Sequence, residues 1–225
     1  VRVVFGWGAK CATTEPRYVI MGSGLSGAQA GFAIAGGEDV DGDQLPDLVV
    51  GGYALSLGGN TVGTAWVVPG SYIKSLTPEL LVDNIPPSQV YVLADPAAVG
   101  NYRVDGTAAG GQFGRAVALI PGLSGNGRAG IAVGAPLGNA NGTDLTGGIN
   151  LYRFSTEAGD NYGLGALPMA TLGGETHRPE GRLGEWLTGG SVNGLPVLSA
   201  GGYDCSGLGL DQGALYSIIL APSED

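Results

Sequence analysis

This chain repeats itself, and the repeat restricts what it can fold into more than any other feature of its 225 residues. Ala30-Gly31-Phe32-Ala33-Ile34-Ala35, an acidic loop, Leu48-Val49-Val50-Gly51-Gly52-Tyr53 and Gly63-Thr64-Ala65-Trp66-Val67-Val68 make one unit. The order returns 83 positions on, with Phe113-Gly114-Arg115-Ala116-Val117-Ala118, a Gly-rich loop, Ile131-Ala132-Val133-Gly134-Ala135-Pro136 and Gly148-Ile149-Asn150-Leu151-Tyr152. A third copy runs from Leu183-Gly184-Glu185-Trp186-Leu187 through Val197-Leu198-Ser199-Ala200-Gly201-Gly202-Tyr203 to Gly213-Ala214-Leu215-Tyr216-Ser217-Ile218-Ile219. No window holds a helical period, and short apolar runs ended by Gly read as strands. A further short strand precedes each new start, as at Tyr18–Gly22 and Tyr102–Gly106. The expectation is an all-β chain of β-propeller blades, each of four antiparallel strands. Its parts are a partial blade over 1–22, blades over 23–106 and 107–175, and a last, three-stranded blade over 176–225.

Inside the first unit lies Asp39-Val40-Asp41-Gly42-Asp43-Gln44-Leu45-Pro46-Asp47. Hard divalent cations take six to eight oxygens at short range, which Asp at positions one, three, five and nine and the Leu45 carbonyl at seven can supply. Four like charges so close repel one another unless a cation neutralises them. The loop is therefore read as a calcium site of Asp39, Asp41, Asp43, Leu45 and Asp47. It departs from an EF-hand, since no Glu stands at position twelve and Leu48-Val49-Val50 continues as a strand. The second loop puts Gly122, Ser124, Asn126, Arg128 and Gly130 at the aligned positions, so acids are lost and Arg128 can fill the space itself. The third loop, Ser191 to Val197, is shorter and holds no carboxylate. Both are expected to turn without metal through Asn and Gly.

The same residues resemble the FG-GAP repeats of integrin α-subunit propellers and their secreted bacterial relatives. Phe113-Gly114 and Gly134-Ala135-Pro136 carry the likeness, the acidic loop looks like that family's calcium loop, and Val3-Val4-Phe5-Gly6 looks like its third blade strand. Ala30-Gly31 and Leu183-Gly184 depart from the Phe-Gly pattern. The resemblance implies a calcium-stabilised, non-catalytic adhesion or binding module, secreted or at the cell surface, which recognises a protein or a glycan.

Composition narrows the partners. The net charge is −10, with only ten Lys and Arg scattered along the chain, which argues against nucleic acid or an anionic membrane. No apolar run reaches transmembrane length, and the chain opens on a strand-like segment, as a mature or trimmed product would. Charged residues are only 13%, and 44 Gly imply many tight turns, as in extracellular β-proteins. Whether Cys11 and Cys205 pair stays open.

Chemistry is poorly represented. His177 is the sole histidine, which leaves little for acid–base work near neutral pH. The alternative reading is a carbohydrate-processing enzyme or its accessory domain, in which Glu175, Glu180 or Glu185 joins an Asp as a glycosidase pair. Gly22-Ser23-Gly24-Leu25-Ser26-Gly27 matches a dinucleotide fingerprint without the helix that should follow. Asn141-Gly142-Thr143 is a sequon, and Trp7, Trp66 and Trp186 are candidates to stack on sugars where exposed, although Trp66 and Trp186 fall in strand patterns that point to core or inter-blade packing. The Pro-rich insertion over 71–100 separates the third and fourth strands of its blade, with a short helical turn expected around Glu79-Leu80-Leu81. Two, four, four and three strands fall short of a ring. The chain ends are thus expected to meet another polypeptide: a second copy, the remainder of a precursor or a different subunit.

Overall fold

The computed structural model describes residues 2–4, 17–22, 25–75, 79–80, 90–92, 102–125, 127–138, 146–155, 163–164, 167–174, 181–202 and 213–221. Trp7, Cys11, Leu81, Asn126, Glu175, His177, Glu180, Cys205 and the Asn141-Gly142-Thr143 sequon lie outside the described residues.

The architecture is mostly β, in several sheets of two to four strands. β1 (Arg2–Val4) and β2 (Arg17–Gly22) pair antiparallel in an N-terminal sheet. β3 (Ala33–Gly36) and β4 (Leu48–Gly52) come next, then a small hairpin of β5 (Ser56–Leu57) and β6 (Asn60–Thr61), then β7 (Thr64–Val68) and helix α1 (Gly70–Ser75). β8 (Glu79–Leu80) and β9 (Val90–Val92) return to β2, and β10 (Arg103–Asp105) returns to β7. The first repeat sheet is therefore ordered β3-β4-β7-β10, with the insertion between its third and fourth strands. β11 (Val117–Ile120), β12 (Gly130–Ala135) and β13 (Gly148–Tyr152) lead through the β14 (Phe154–Ser155) and β15 (Gly163–Leu164) hairpin to β16 (Ala170–Gly173), giving the second repeat sheet, β11-β12-β13-β16. β17 (Trp186–Val192), β18 (Leu195–Gly202) and β19 (Ala214–Ile219) form the third. Among the described residues no helix is long and apolar enough to cross a membrane.

The helical turn is displaced from where the sequence pattern puts it. Glu79 and Leu80 are extended and pair with Tyr18 and Arg17, whereas the helix forms directly after Pro69, whose carbonyl accepts the Ile73 N–H at 3.0 Å. Local pattern sees neither the sheet edge at β2 nor the two carboxylates of the acidic loop that receive the first helical N–H groups.

Each repeat opens on one main-chain corner. Gly31, Gly114 and Gly184 adopt φ of 93°, 84° and 93°, where an L side chain is strained. Their N–H groups donate to the carbonyls of Gly51, Gly134 and Gly201 at 3.0, 2.9 and 3.2 Å. Two positions earlier Gln29, Gln112 and Arg182 also carry positive φ, and their carbonyls accept the N–H of Phe32, Arg115 and Glu185. Ala30-Gly31 and Leu183-Gly184 thus make the same turn as Phe113-Gly114.

The corners are also where successive sheets interlock. A Cβ on Gly51 would run into the Gly114 carbonyl, and one on Gly63 into that of Phe113. One repeat further on, Gly134 meets the Gly184 carbonyl and Gly147 meets Leu183. Isolated bridges join Gly63 to Phe113 and Gly147 to Leu183. Around these backbone contacts Val49, Val67, Val117 and Leu119 bury one apolar layer, and Ile120, Ile149, Leu151 and Leu198 bury the next. Trp66 is fully buried, as expected. Trp186 is not, being 56% exposed on the outer face of the third repeat sheet.

Candidate metal centre

The loop between β3 and β4 gathers Asp39, Asp41 and Asp43 so that one oxygen of each lies within 4.8 Å of the others. Gly42 and Gln44 allow this by taking φ of 90° and 66°. The backbone holds the acids in place. Asp39 accepts the Gly42 N–H at 2.6 Å and the Gln44 N–H at 2.9 Å, while Asp41 accepts from Asp43 and Asp43 from Leu45. Like charges at such a separation repel by roughly 1 kcal/mol per pair in water and about 3 kcal/mol at an effective dielectric of 20. Burial raises the Asp41 pKa above its usual value, and the Asp43 and Asp39 charges push it the same way against a backbone hydrogen bond that lowers it.

Asp47 sits apart from that cluster. It is fully buried, and its two oxygens accept N–H groups of Val40 at 2.7 Å, Asp41 at 3.3 Å and Gly70 at 2.7 Å. Desolvation outweighs those bonds and raises its pKa to about 6. Leu45 is half-buried over Gly70, whose Cβ position lies 2.7 Å from Leu45 Cβ. Asp47 and Asp43 together tie the loop to the start of α1, with Ser71 donating to Asp43 at 3.2 Å.

The neighbouring repeat completes the surroundings. Arg128 does not fill its own loop: its Cδ lies 3.1 Å from the Cβ position of Gly42, over the acidic loop of the first repeat. The Ala129 N–H donates to the Asp39 carbonyl at 2.8 Å. The second loop turns on Gly122, Gly125 and Gly127, each with φ above 70°, braced by Ser124 Oγ donating to the Ala129 carbonyl. The third is a two-residue turn through Asn193 and Gly194 with φ of 53° and 79°, the type I′ geometry of a tight hairpin.

Two further groupings were not foreseen. Position by position after the corner glycine stand Phe32, Arg115 and Glu185, and they meet. The Arg115 guanidinium lies 4.6 Å from the Phe32 ring centroid and 5.1 Å from that of Tyr53, and donates to Glu185 Oε1 at 2.9 Å. Aligning the three copies was the available signal. Glu185 is thereby held in an ion pair. The second grouping is a cleft of about 260 Å³ between the first and second repeat sheets, lined by Asp105, Asn150, Tyr152 and Thr171 among others. Among the described residues its one carboxylate, Asp105, is paired with Arg103 at 2.7 Å. Burial lifts the Tyr152 hydroxyl to a pKa of about 12, so it stays protonated.

No protein-family model and no curated protein matches this chain.

Proposed function

We propose that this chain is a secreted or cell-surface recognition module of FG-GAP-like propeller blades, without chemistry of its own, in which one blade loop holds a stabilising calcium ion and the surface binds a protein or glycan ligand. The observation that carries the reading is the convergence of Asp39, Asp41 and Asp43 within 4.8 Å in a loop whose equivalents in the other two repeats have lost their acids. These three carboxylates, with the Leu45 carbonyl, would hold the ion. Asp47 would orient Val40 and Asp41 through their N–H groups, and its Oδ1, which accepts only the Gly70 N–H, keeps a lone pair with which to join the ligands. A bound cation would add to the positive charge that Arg128 brings over the loop and would cross-brace it. The threefold corner geometry supports the repeat assignment. Glycoside hydrolysis uses two carboxyl groups facing one substrate, and among the described residues the cleft at Asp105 offers one, paired with Arg103.

Titration calorimetry with calcium tests the reading. One site per chain is expected, with Asp43→Ala losing at least about tenfold in affinity, a loss of ~1.4 kcal/mol. Absence of any calcium-dependent heat or melting shift in the parent chain would refute it.

A further inference from the structure

The second repeat has lost the acids of its own loop and delivers a cation to the loop of the first. Aligned on the repeat, Arg128 stands where the first loop has Leu45. Its side chain runs back over the first repeat, with Cδ, Nη1 and Nε at 3.1, 3.7 and 3.8 Å from the Cβ position of Gly42, the glycine between Asp41 and Asp43. A side chain at position 42 would take that seat, so Gly42 makes room for Arg128 as well as for the turn.

Main chain, not a salt bridge, holds the guanidinium there. The Arg128 N–H donates to the Gly125 carbonyl at 2.9 Å, and the Arg128 carbonyl accepts the Ser124 N–H at 3.3 Å. The next residue reaches across: the Ala129 N–H donates to the Asp39 carbonyl at 2.8 Å, while its own carbonyl accepts Ser124 Oγ at 2.9 Å. The root of the side chain is thus fixed to both loops. Beyond that root Arg128 forms no ion pair with a described carboxylate, unlike Arg103 and Arg115, which are paired at 2.7 and 2.9 Å. A guanidinium that lies over three gathered carboxylates and pairs with none of them is a tethered counter-ion, kept at high local concentration by its own backbone.

We infer that Arg128 is a built-in rival of the calcium ion for the acidic loop and sets the affinity of that site, an inference that rests on the calcium reading above and names its regulation. In the metal-free loop the guanidinium offsets part of the repulsion among Asp39, Asp41 and Asp43. A divalent cation that enters the cluster meets the same positive charge as an opponent. Arg128 is half-buried and unpaired, so its head group can withdraw into water when the ion arrives. The second loop thereby acts on its neighbour: its side chain lowers the affinity of the first loop and stabilises that loop when empty. The competing role, packing of the Arg128 stem over Gly42, needs no charge and predicts the opposite sign, because losing the stem would loosen the loop and weaken the ion's binding.

Calorimetric titration of the intact chain with calcium, and melting in chelator, compare the parent with Arg128→Gln, which keeps much of the stem without the charge, and with Arg128→Lys, which keeps the charge. At low ionic strength Arg128→Gln should bind calcium roughly threefold to tenfold more tightly than the parent and melt about 2 °C or more lower in chelator, while Arg128→Lys stays within about twofold of the parent. Arg128→Met carries the same expectation as Arg128→Gln and replaces it if that variant does not fold. The gain should shrink as ionic strength rises from about 0.01 to about 1 M, over which the Debye length falls from about 30 to about 3 Å. Terbium(III) should gain more than calcium, by about the three-halves power of the fold-change, since the repulsion scales with the charge of the ion. A packing role would move both ions alike. Equal or weaker calcium binding by Arg128→Gln, a gain indifferent to salt, or an Arg128→Lys as tight as Arg128→Gln would overturn the inference. A parent that binds calcium with Arg128→Gln unchanged removes only the rivalry. A parent without calcium heat whose Arg128→Gln variant binds the ion removes only the reading that the parent holds calcium, and absence of binding by both removes the two together.

Discussion

Adding one methyl group to each of three equivalent glycines separates a buried interlock from an open face. In Gly134→Ala the new Cβ meets the main-chain carbonyl of Gly184, a residue whose N–H is held by the Gly201 carbonyl and whose backbone cannot swing aside as a side chain would. The second and third repeat sheets must then separate, and the layer of Ile120, Ile149, Leu151 and Leu198 loses contact across the gap. A radial gap of 0.5–1 Å forfeits a quarter to a half of each dispersion well. Overpacking typically costs 1–3 kcal/mol, and an unyielding backbone obstacle places this case near the top, at about 3 kcal/mol. For a chain of this size that lowers Tm by roughly 6–12 °C. Gly51→Ala should match it, because the Gly114 carbonyl stands in the same place. Gly201→Ala meets only the half-exposed Trp186 ring at 3.1 Å, which can move, and its cost should stay below about 1 kcal/mol. Urea unfolding and thermal melts of the three variants provide the comparison. If Gly201→Ala proved as damaging as Gly134→Ala, backbone would have to occupy the third seat as well, and the distinction between inner and outer sheets would be wrong.

In chelator, Asp47 should make stability fall as pH rises. Its folded pKa of about 6 lies above the unfolded value near 3.8, so the proton it holds stabilises the fold fully below pH ~4 and the contribution is lost through pH ~6, on the order of 3 kcal/mol in all. Urea midpoints between pH 4 and 7.5 measure the slope, which Asp47→Asn should flatten; an unchanged slope would mean that another group carries it. Arg115→Ala should cost about 2 kcal/mol through loss of its ion pair and ring stacking, and Arg115→Lys should recover less than half, because an ammonium keeps the charge without the planar fork. A double-mutant cycle with Glu185→Gln that returned no coupling would show the pair to be incidental.

The all-β class, the strand order and the position of the insertion were legible because they follow from local rules: apolar runs of strand length, Gly at corners that need positive φ, and self-similarity between copies. The hairpin through Asn193 and Gly194 belongs with them, since its turn type is set by those two residues. So does the gathering of Asp39, Asp41 and Asp43, which alternate in sequence and so converge when the loop curls around Gly42. Tertiary structure decided the rest. Asp47 has the spacing of a ligand, and burial beside Val40 and the start of α1 also makes it an acceptor for three backbone N–H groups, which the sequence does not show. Arg128 lies over a loop 80-odd residues before it rather than in its own, because sheets of successive repeats pack face to face. Trp186 reads as core by pattern, for the alternation of a strand states which residues share a face but not whether another sheet covers it. That last fact depends on how many sheets stack, a property of the assembled fold that no short stretch of residues encodes.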